Sequence, residues 1–271
     1  MTREVKQITS LTNDRVKAIR ALDMRKERKA TGLFVAEGAS ILMTARDHGF
    51  APQTLVYRKG SLETPLQKGL VAGALAAGAE VLEVTEAVLS KLASKDNPQA
   101  MLAVYRQRWA EPPDAAAVPA TATWVALEEV RDPGNLGTII RTVDAVGGAG
   151  VILVGACCDP YSRECVRATM GSVFAVPLVR LERAAFLGWA ARWPGDVAGT
   201  HVQAREDFRH AAYRDPVLLV MGSEGPGLGA ELTAACTRLV QIPMAGRLDS
   251  LNLAVATALT LYQLRGPHLK I

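Results

Sequence analysis

Three short stretches of this sequence gather the side chains and glycines that chemistry on a bound ligand needs. The first is Asp132-Pro133-Gly134-Asn135-Leu136-Gly137-Thr138-Ile139-Ile140-Arg141, and the second is Val220-Met221-Gly222-Ser223-Glu224-Gly225-Pro226-Gly227-Leu228. The third is Ile242-Pro243-Met244, followed by Asp249-Ser250-Leu251-Asn252-Leu253. Two amides, a hydroxyl, a carboxylate and a guanidinium can orient a polar reactant and offset charge that develops on it. Glycines let backbone approach a flat ligand closely. Each stretch begins at or near a predicted strand end and runs into a helix, where an open α/β sheet places its ligand crevice.

Taken singly, each stretch also has a plain structural reading. Asp132 can cap a helix that begins with Pro133, because proline lacks the donor that is orphaned there. Leu136, Ile139, Ile140, Val143 and Val146 recur at helical spacing and are predicted to face the sheet. Arg141 falls off that stripe, so periodicity alone makes it an exposed arginine. The second stretch fails as a phosphate loop, since Leu228 and not Lys follows Gly227. Gly147-Gly148-Ala149-Gly150 precedes a strand, so it fails as a dinucleotide fingerprint. An isolated turn of this kind reads better as a tight strand-to-helix connection with Glu224 as an acid at the helix start. In the third stretch Ser250 is expected as the N-cap and Asn252 in the first turn of an apolar helix. Small and apolar residues run almost all round that helix, which suits burial between subunits or inside a fold.

The elements that must position these residues follow from short apolar runs. Strands are expected at Trp124–Leu127, Val151–Val154, Ala175–Val179, Val197–His201, Val217–Met221 and Leu239–Ile242, with helices between them and a last helix from about Leu251. This alternation predicts an α/β fold with a mostly parallel sheet covered on both faces. Residues 109–122, rich in Pro and Ala and lacking a hydrophobic period, read as a linker. Before it lies a smaller α/β domain. It has a basic amphipathic helix over Asn13–Arg28, a strand at Leu33–Val35, a helix over Gly38–His48, and strands at Thr54–Tyr57 and Val81–Val84.

With 49% hydrophobic and 21% charged residues, the 271-residue chain can bury a sizeable core, and global disorder is excluded. Four cysteines without CxxC spacing or a histidine cluster argue against zinc; Cys157 and Cys158 read as small buried residues in a reducing cytosol. The start of the chain does not read as a signal peptide, and the apolar stretch over Leu251–Leu264 is too short to span a bilayer. A cytoplasmic protein that needs no metal is expected.

Together and in this order, the three stretches closely resemble the SpoU class of RNA ribose 2′-O-methyltransferases in the SPOUT superfamily. Asn135, Gly137 and Arg141 meet that family's Asn-x-Gly-x-x-x-Arg pattern, and the likeness extends from about Val125 to Gln263. A looser likeness links Ile8-Thr9-Ser10-Leu11 with Asn13, Thr31–Gly38 and Leu92–Ala100 to the L30e-like substrate-binding domain that precedes such catalytic domains. The resemblance implies a SPOUT domain with a trefoil knot over 123–271, a smaller N-terminal L30e-like domain over 1–108, and the linker between them. It implies S-adenosylmethionine as cofactor, held by Gly222, Ile242 and Leu251 with Met221 and Met244 beside them. It also implies a catalytic set of Arg141, Asn135, Glu224, Ser250 and Asn252, and a homodimer through the C-terminal domain. The implied substrate is a ribose 2′-hydroxyl of structured RNA, with 23S rRNA or an assembling ribosome ahead of tRNA. Alternatives are a non-catalytic RNA-binding SPOUT protein, a base methyltransferase of the same superfamily and, distantly, a nucleotide-dependent dehydrogenase.

Charge distribution fits an RNA partner. The net charge is only +4, but residues 1–30 hold nine basic side chains against four acidic ones. Charge alone favours a solvated helix face; beside an RNA-modifying domain, Arg15, Arg25, Lys26 and Arg28 become RNA contacts, with Arg167 as a further one. Aromatics make up 5% of the chain, so recognition by shape and unpaired nucleotides is expected over extensive base stacking. A guanidinium is effectively always protonated, so Arg141 is better suited to grip the adjacent phosphate than to act as a base.

Overall fold

The computed structural model describes residues 4–93 and 99–269. They divide into two compact units, one running up to Gln107 and including Asp159–Ala175, the other formed by Arg108–Cys158 and the chain from Val176 on.

The first unit is built on β1 (Lys6–Ile8), α1 (Asp14–Ala21), α2 (Arg25–Thr31), β2 (Leu33–Glu37), α3 (Ala39–Asp47), β3 (Thr54–Arg58), α4 (Pro65–Ala76), β4 (Glu80–Val84), α5 (Glu86–Leu92) and β5 (Met101–Arg106). Its sheet has the order β1-β4-β3-β5-β2, parallel through β1, β4 and β3, with β5 antiparallel to β3 and β2. Val16, Ile19, Val35, Val56, Leu82, Val88, Leu89 and Leu102 pack into one core. Of the stretch Leu92–Ala100, residues 94–98 lie outside the described residues.

The helix expected over Asn13–Arg28 is two helices. Asn13 caps α1 by accepting from the Arg15 N–H at 2.9 Å, and α1 ends at Ala21 with Leu22 as its C-cap. Arg28 explains the break: its Nη1 donates to the carbonyls of Leu22 (2.8 Å) and Asp23 (2.9 Å), tying the interhelical turn. Its Nε pairs with Asp159 at 2.8 Å, and the residue is only 4% exposed. The RNA contact expected of Arg28 is at odds with this burial, since its Nε and Nη1 donors are committed inside the fold. A second arginine, Arg163, is bound to Asp23 and Glu37 in the same unit.

In the second unit the strands are β6 (Thr123–Glu128), β7 (Gly150–Val154), β8 (Leu178–Leu181), β9 (Val197–Thr200), β10 (Glu206–Asp207), β11 (Val217–Met221) and β12 (Arg238–Gln241). The helices are α6 (Pro133–Ala145), α8 (Arg183–Ala190), α9 (Ala230–Ala235) and α10 (Leu253–Arg265), while α7 (Arg163–Ala168) belongs to the stretch counted with the first unit. The sheet runs β10-β12-β9-β11-β6-β7-β8, parallel at every pairing. β6, β7 and β11 are buried along their whole length, which is why they read as unbroken apolar runs and not as alternation.

The strand expected from Ala175 starts at Leu178, because Gly171 (φ 107) opens a 3₁₀ turn over Ser172–Phe174. Residues 109–122 are anchored to this unit. The Ala110 N–H donates to Leu178 O, Trp189 Nε1 donates to Pro113 O, and the Arg180 guanidinium stacks 4.0 Å from the Trp109 ring centre. Among the described residues no helix is long and apolar enough to cross a membrane.

Candidate functional site

Parallel strands put all their C-terminal ends on one edge, and the connections leaving β6, β9, β11 and β12 meet there. After β6, Asp132 caps α6 by accepting from the Asn135 N–H at 2.6 Å, with Pro133 as the first helical residue. Leu136, Ile139, Ile140, Val143 and Val146 are buried, so α6 lies on the sheet by the stripe its spacing predicted. That contact fixes Asn135 at the start of α6.

After β11 the chain doubles back on itself. Ser223 and Gly227 exchange both backbone hydrogen bonds at 3.1 Å, and Gly225 (φ 91) and Gly227 (φ 74) make the left-handed turns this requires. A Cβ on Gly222 would lie 2.0–2.2 Å from the backbone of Gly227 and Leu228, so only glycine fits under the fold-back. Glu224 is thereby lifted out of the turn and is not a helix N-terminal acid, since α9 begins only at Ala230.

The three stretches converge in a chain of hydrogen bonds. Glu224 Oε2 accepts from the Arg131 N–H at 3.2 Å, and Oε1 accepts from Asn135 Nδ2 at 3.1 Å. Asn252 Nδ2 donates to Asn135 Oδ1 at 2.9 Å. Burial would raise the Glu224 carboxyl, but the Asn135 amide and the N–H groups of Glu224 itself, Arg131 and Asp132 hold it below its ordinary range. Asn252 also caps α10, accepting from the N–H groups of Ala254 (2.9 Å) and Val255 (3.2 Å). Ser250, expected in that role, instead bonds to Asp249, because α10 starts two residues later than the sequence pattern suggested.

Beside this chain opens a cavity of about 490 Å³. Met221, Gly222, Glu224, Ile242, Met244, Ser250, Leu251 and Asn252 all line it. The structure also places Leu228 and Asp249 of the second and third stretches there, together with Thr200 and His201, which the sequence reading did not single out. Thr200 and His201 end β9, and a search of every parallel strand's C-terminal end would have found them. Thr200 Oγ1 donates to Met221 Sδ at 3.4 Å. Arg141 is not in the cavity wall. Six residues beyond Asn135, it is rotated about 240° around α6 and advanced about 9 Å; it is exposed and forms no ion pair with any described residue. Arg15, Arg25, Lys26 and Arg167 belong to the other unit and are exposed, Arg15 paired with Glu80.

These features match known proteins over the whole chain. Residues 122–262 fit the model of the SpoU rRNA Methylase family, and residues 13–103 fit the MRM3-like substrate binding domain. The chain belongs to the SpoU rRNA methylase family. It is 46% identical to an AdoMet-bound rRNA methyltransferase from Sinorhizobium meliloti, with a TM-score of 0.90 over 98% of this chain and 99% of that one. The SpoU methyltransferase AviRb from Streptomyces viridochromogenes, in complex with AdoMet, is 30% identical at a TM-score of 0.84, covering 94% and 98%. The 23S rRNA (guanosine(2553)-2′-O)-methyltransferase RlmP of Bacillus subtilis is 31% identical over 97% of this chain and all of its own. This SpoU chain brings the three stretches together on one edge of an all-parallel sheet.

Proposed function

We propose that this SpoU family member transfers a methyl group from S-adenosylmethionine to a ribose 2′-hydroxyl of 23S rRNA. The observation that carries the proposal is the Glu224–Asn135–Asn252 chain of hydrogen bonds beside the cavity. It brings together one polar residue from each of the three stretches, and a merely structural turn has no use for it.

The cavity suits the cofactor. Its wall combines the bare backbone of Gly222, Gly225 and Gly227 with the apolar Met221, Leu228, Ile242 and Leu251, a surface that accepts a flat heterocycle and offers backbone donors and acceptors to its edge. S-adenosylmethionine, when bound, supplies an electrophilic methyl group. Asn135, held from two sides, orients the ribose, and Glu224, Ser250 and Asn252 shape the acceptor end of the cavity. Arg141, free to meet solvent, grips the phosphate next to the target ribose. Its permanent charge favours the negative charge that builds on the 2′-oxygen, while phosphate or water takes the proton.

Arg15, Arg25, Lys26 and Arg167 supply phosphate contacts that place the RNA. The enzyme acts in the cytoplasm as a homodimer, its C-terminal chain tying the trefoil knot. Support for the dimer comes from α10, whose outer face exposes Val255 (48%), Leu259 (43%) and Tyr262 (53%) at helical spacing, with Leu251 just before the helix.

The test is transfer of labelled methyl from S-adenosylmethionine to 23S rRNA in vitro, followed by nucleoside analysis. Label in one 2′-O-methylnucleoside is expected; label on a base would overturn the proposal.

A further inference from the structure

Glu128 ends β6 and is 3% exposed, a position where a carboxylate needs a reason. Its Oε2 accepts from the Gly229 N–H at 2.7 Å, while Oε1 is buried without a hydrogen bond, 3.2 Å from Arg183 Nη2. Gly229 has an ordinary φ of −65°, so backbone conformation does not demand glycine there. A Cβ at Gly229 would lie 2.8 Å from Glu128 Oε1, so any larger residue would have to displace the Glu128 carboxylate. Gly229 directly follows Leu228, the last cavity-lining residue of the β11 loop. The next residue after Glu128 is also unusual. Glu129 holds a left-handed φ of 48°, fixed by its N–H bond to Val154 O and by Arg183, which donates to its Oε1 at 2.9 Å.

Two carboxylates thus tie the same two segments in opposite directions. Glu224 reaches from the β11 loop to the Arg131 N–H and Asn135, and Glu128 reaches from the end of β6 to the far end of that loop. We infer that Glu128 is a positioning residue: with Glu224 it forms a reciprocal clasp that holds residues 222–229 in the shape the cofactor meets, and so sets the affinity for S-adenosylmethionine. The inference rests on the proposal that this cavity holds that cofactor. Arg183, in contact with Glu128, Glu129 and Glu231, offsets the charge buried at the clasp.

The experiment measures S-adenosylmethionine binding by calorimetry and steady-state kinetics for wild type, Glu128→Ala, Glu128→Gln, Gly229→Ala and the Glu128→Ala/Gly229→Ala double variant. Glu128→Ala is expected to raise Kd and KM for the cofactor roughly ten-fold, with kcat at saturating cofactor within about three-fold. Gly229→Ala is expected to act similarly in the wild-type background, yet to add less than about two-fold once Glu128 is gone, because both break one contact. Glu128→Gln keeps an acceptor and the side-chain shape, so it reports on the clasp if Glu128→Ala does not fold; about a three-fold loss of affinity is expected for it. Unchanged cofactor affinity in folded Glu128→Gln and Gly229→Ala overturns the inference, even if melting temperatures fall. A wild type that does not bind S-adenosylmethionine refutes the cofactor assignment, and the clasp with it.

Discussion

Asn252 does two things at once, and they can be separated by substitution. Its Oδ1 caps α10 through two N–H groups, and its Nδ2 donates to Asn135 at 2.9 Å. Asn252→Ala removes both. Loss of a cap costs about 1 kcal/mol and loss of an amide–amide bond about 1 kcal/mol. At about 2–4 °C per kcal/mol for a chain of this size, the melting temperature should drop by roughly 4–8 °C. Asn252→Asp keeps the cap acceptor and adds a negative charge at a helix N-terminus, where it is favourable. It cannot donate to Asn135 Oδ1, and Asn135 cannot turn its amide round without giving up Glu224. The melting temperature of Asn252→Asp should therefore stay within about 2 °C of wild type. Its kcat/KM should nevertheless fall about ten-fold, as expected for about 1.4 kcal/mol of lost positioning. The assay is initial-rate methyl transfer to 23S rRNA beside a thermal melt of each variant. Wild-type kcat/KM in a stable Asn252→Asp protein would refute the idea that Asn252 positions Asn135.

Other expectations follow from the same geometry. Arg141→Lys should lose at least ten-fold in rate, because lysine lacks the bidentate fork, while its exposed position leaves stability within about 0.5 kcal/mol by denaturant titration. The Glu224 carboxyl titrates below its ordinary range, so its contribution to stability is complete above about pH 4.3 and disappears as pH falls through the lower folded-state value. Urea melts should therefore show the wild-type advantage over Glu224→Gln shrinking as the pH falls below about 4.3; an advantage that grows toward acid contradicts this. Burial pushes the thiols of Cys157 to about 11 and Cys236 to about 12, so alkylation at pH 8 followed by peptide mass mapping should leave both unmodified in the native protein. Leu259→Asp on the exposed face of α10 should convert a dimer to a monomer in light scattering; an unchanged mass places the interface elsewhere.

Much of the second unit was legible because β6, β7 and β11 are buried along their whole length. Val217–Met221 is read from the sequence with its observed limits, and the α6 stripe with its Asp132 cap is local chemistry that needs no tertiary knowledge. The convergence of Asn135, Glu224 and Asn252 was not derivable from spacing, since the three are linked only through the parallel sheet; resemblance supplied it. Legibility failed where a distant partner decides the outcome. Arg28 looked like one more cation on a basic helix face, but Asp159, 131 positions away, buries it. Ser250 lost the cap to Asn252 because the latter is also held by Asn135. Glu128 gave a weak signal, a carboxylate at the end of an apolar run, whose partner Gly229 lies 101 residues on. The smaller unit was harder for a different reason. β1 has three residues, too few to mark a period, although the Thr64–Gln67 capping box that starts α4 was there to be read.

The most direct test of the central claim is nucleoside mass spectrometry of 23S rRNA from cells lacking this gene, complemented with wild type or with Arg141→Ala. The expected result is the loss of one 2′-O-methylated nucleotide, restored by wild type and not by Arg141→Ala. An unchanged 2′-O-methyl map, or restoration by Arg141→Ala, would contradict the account.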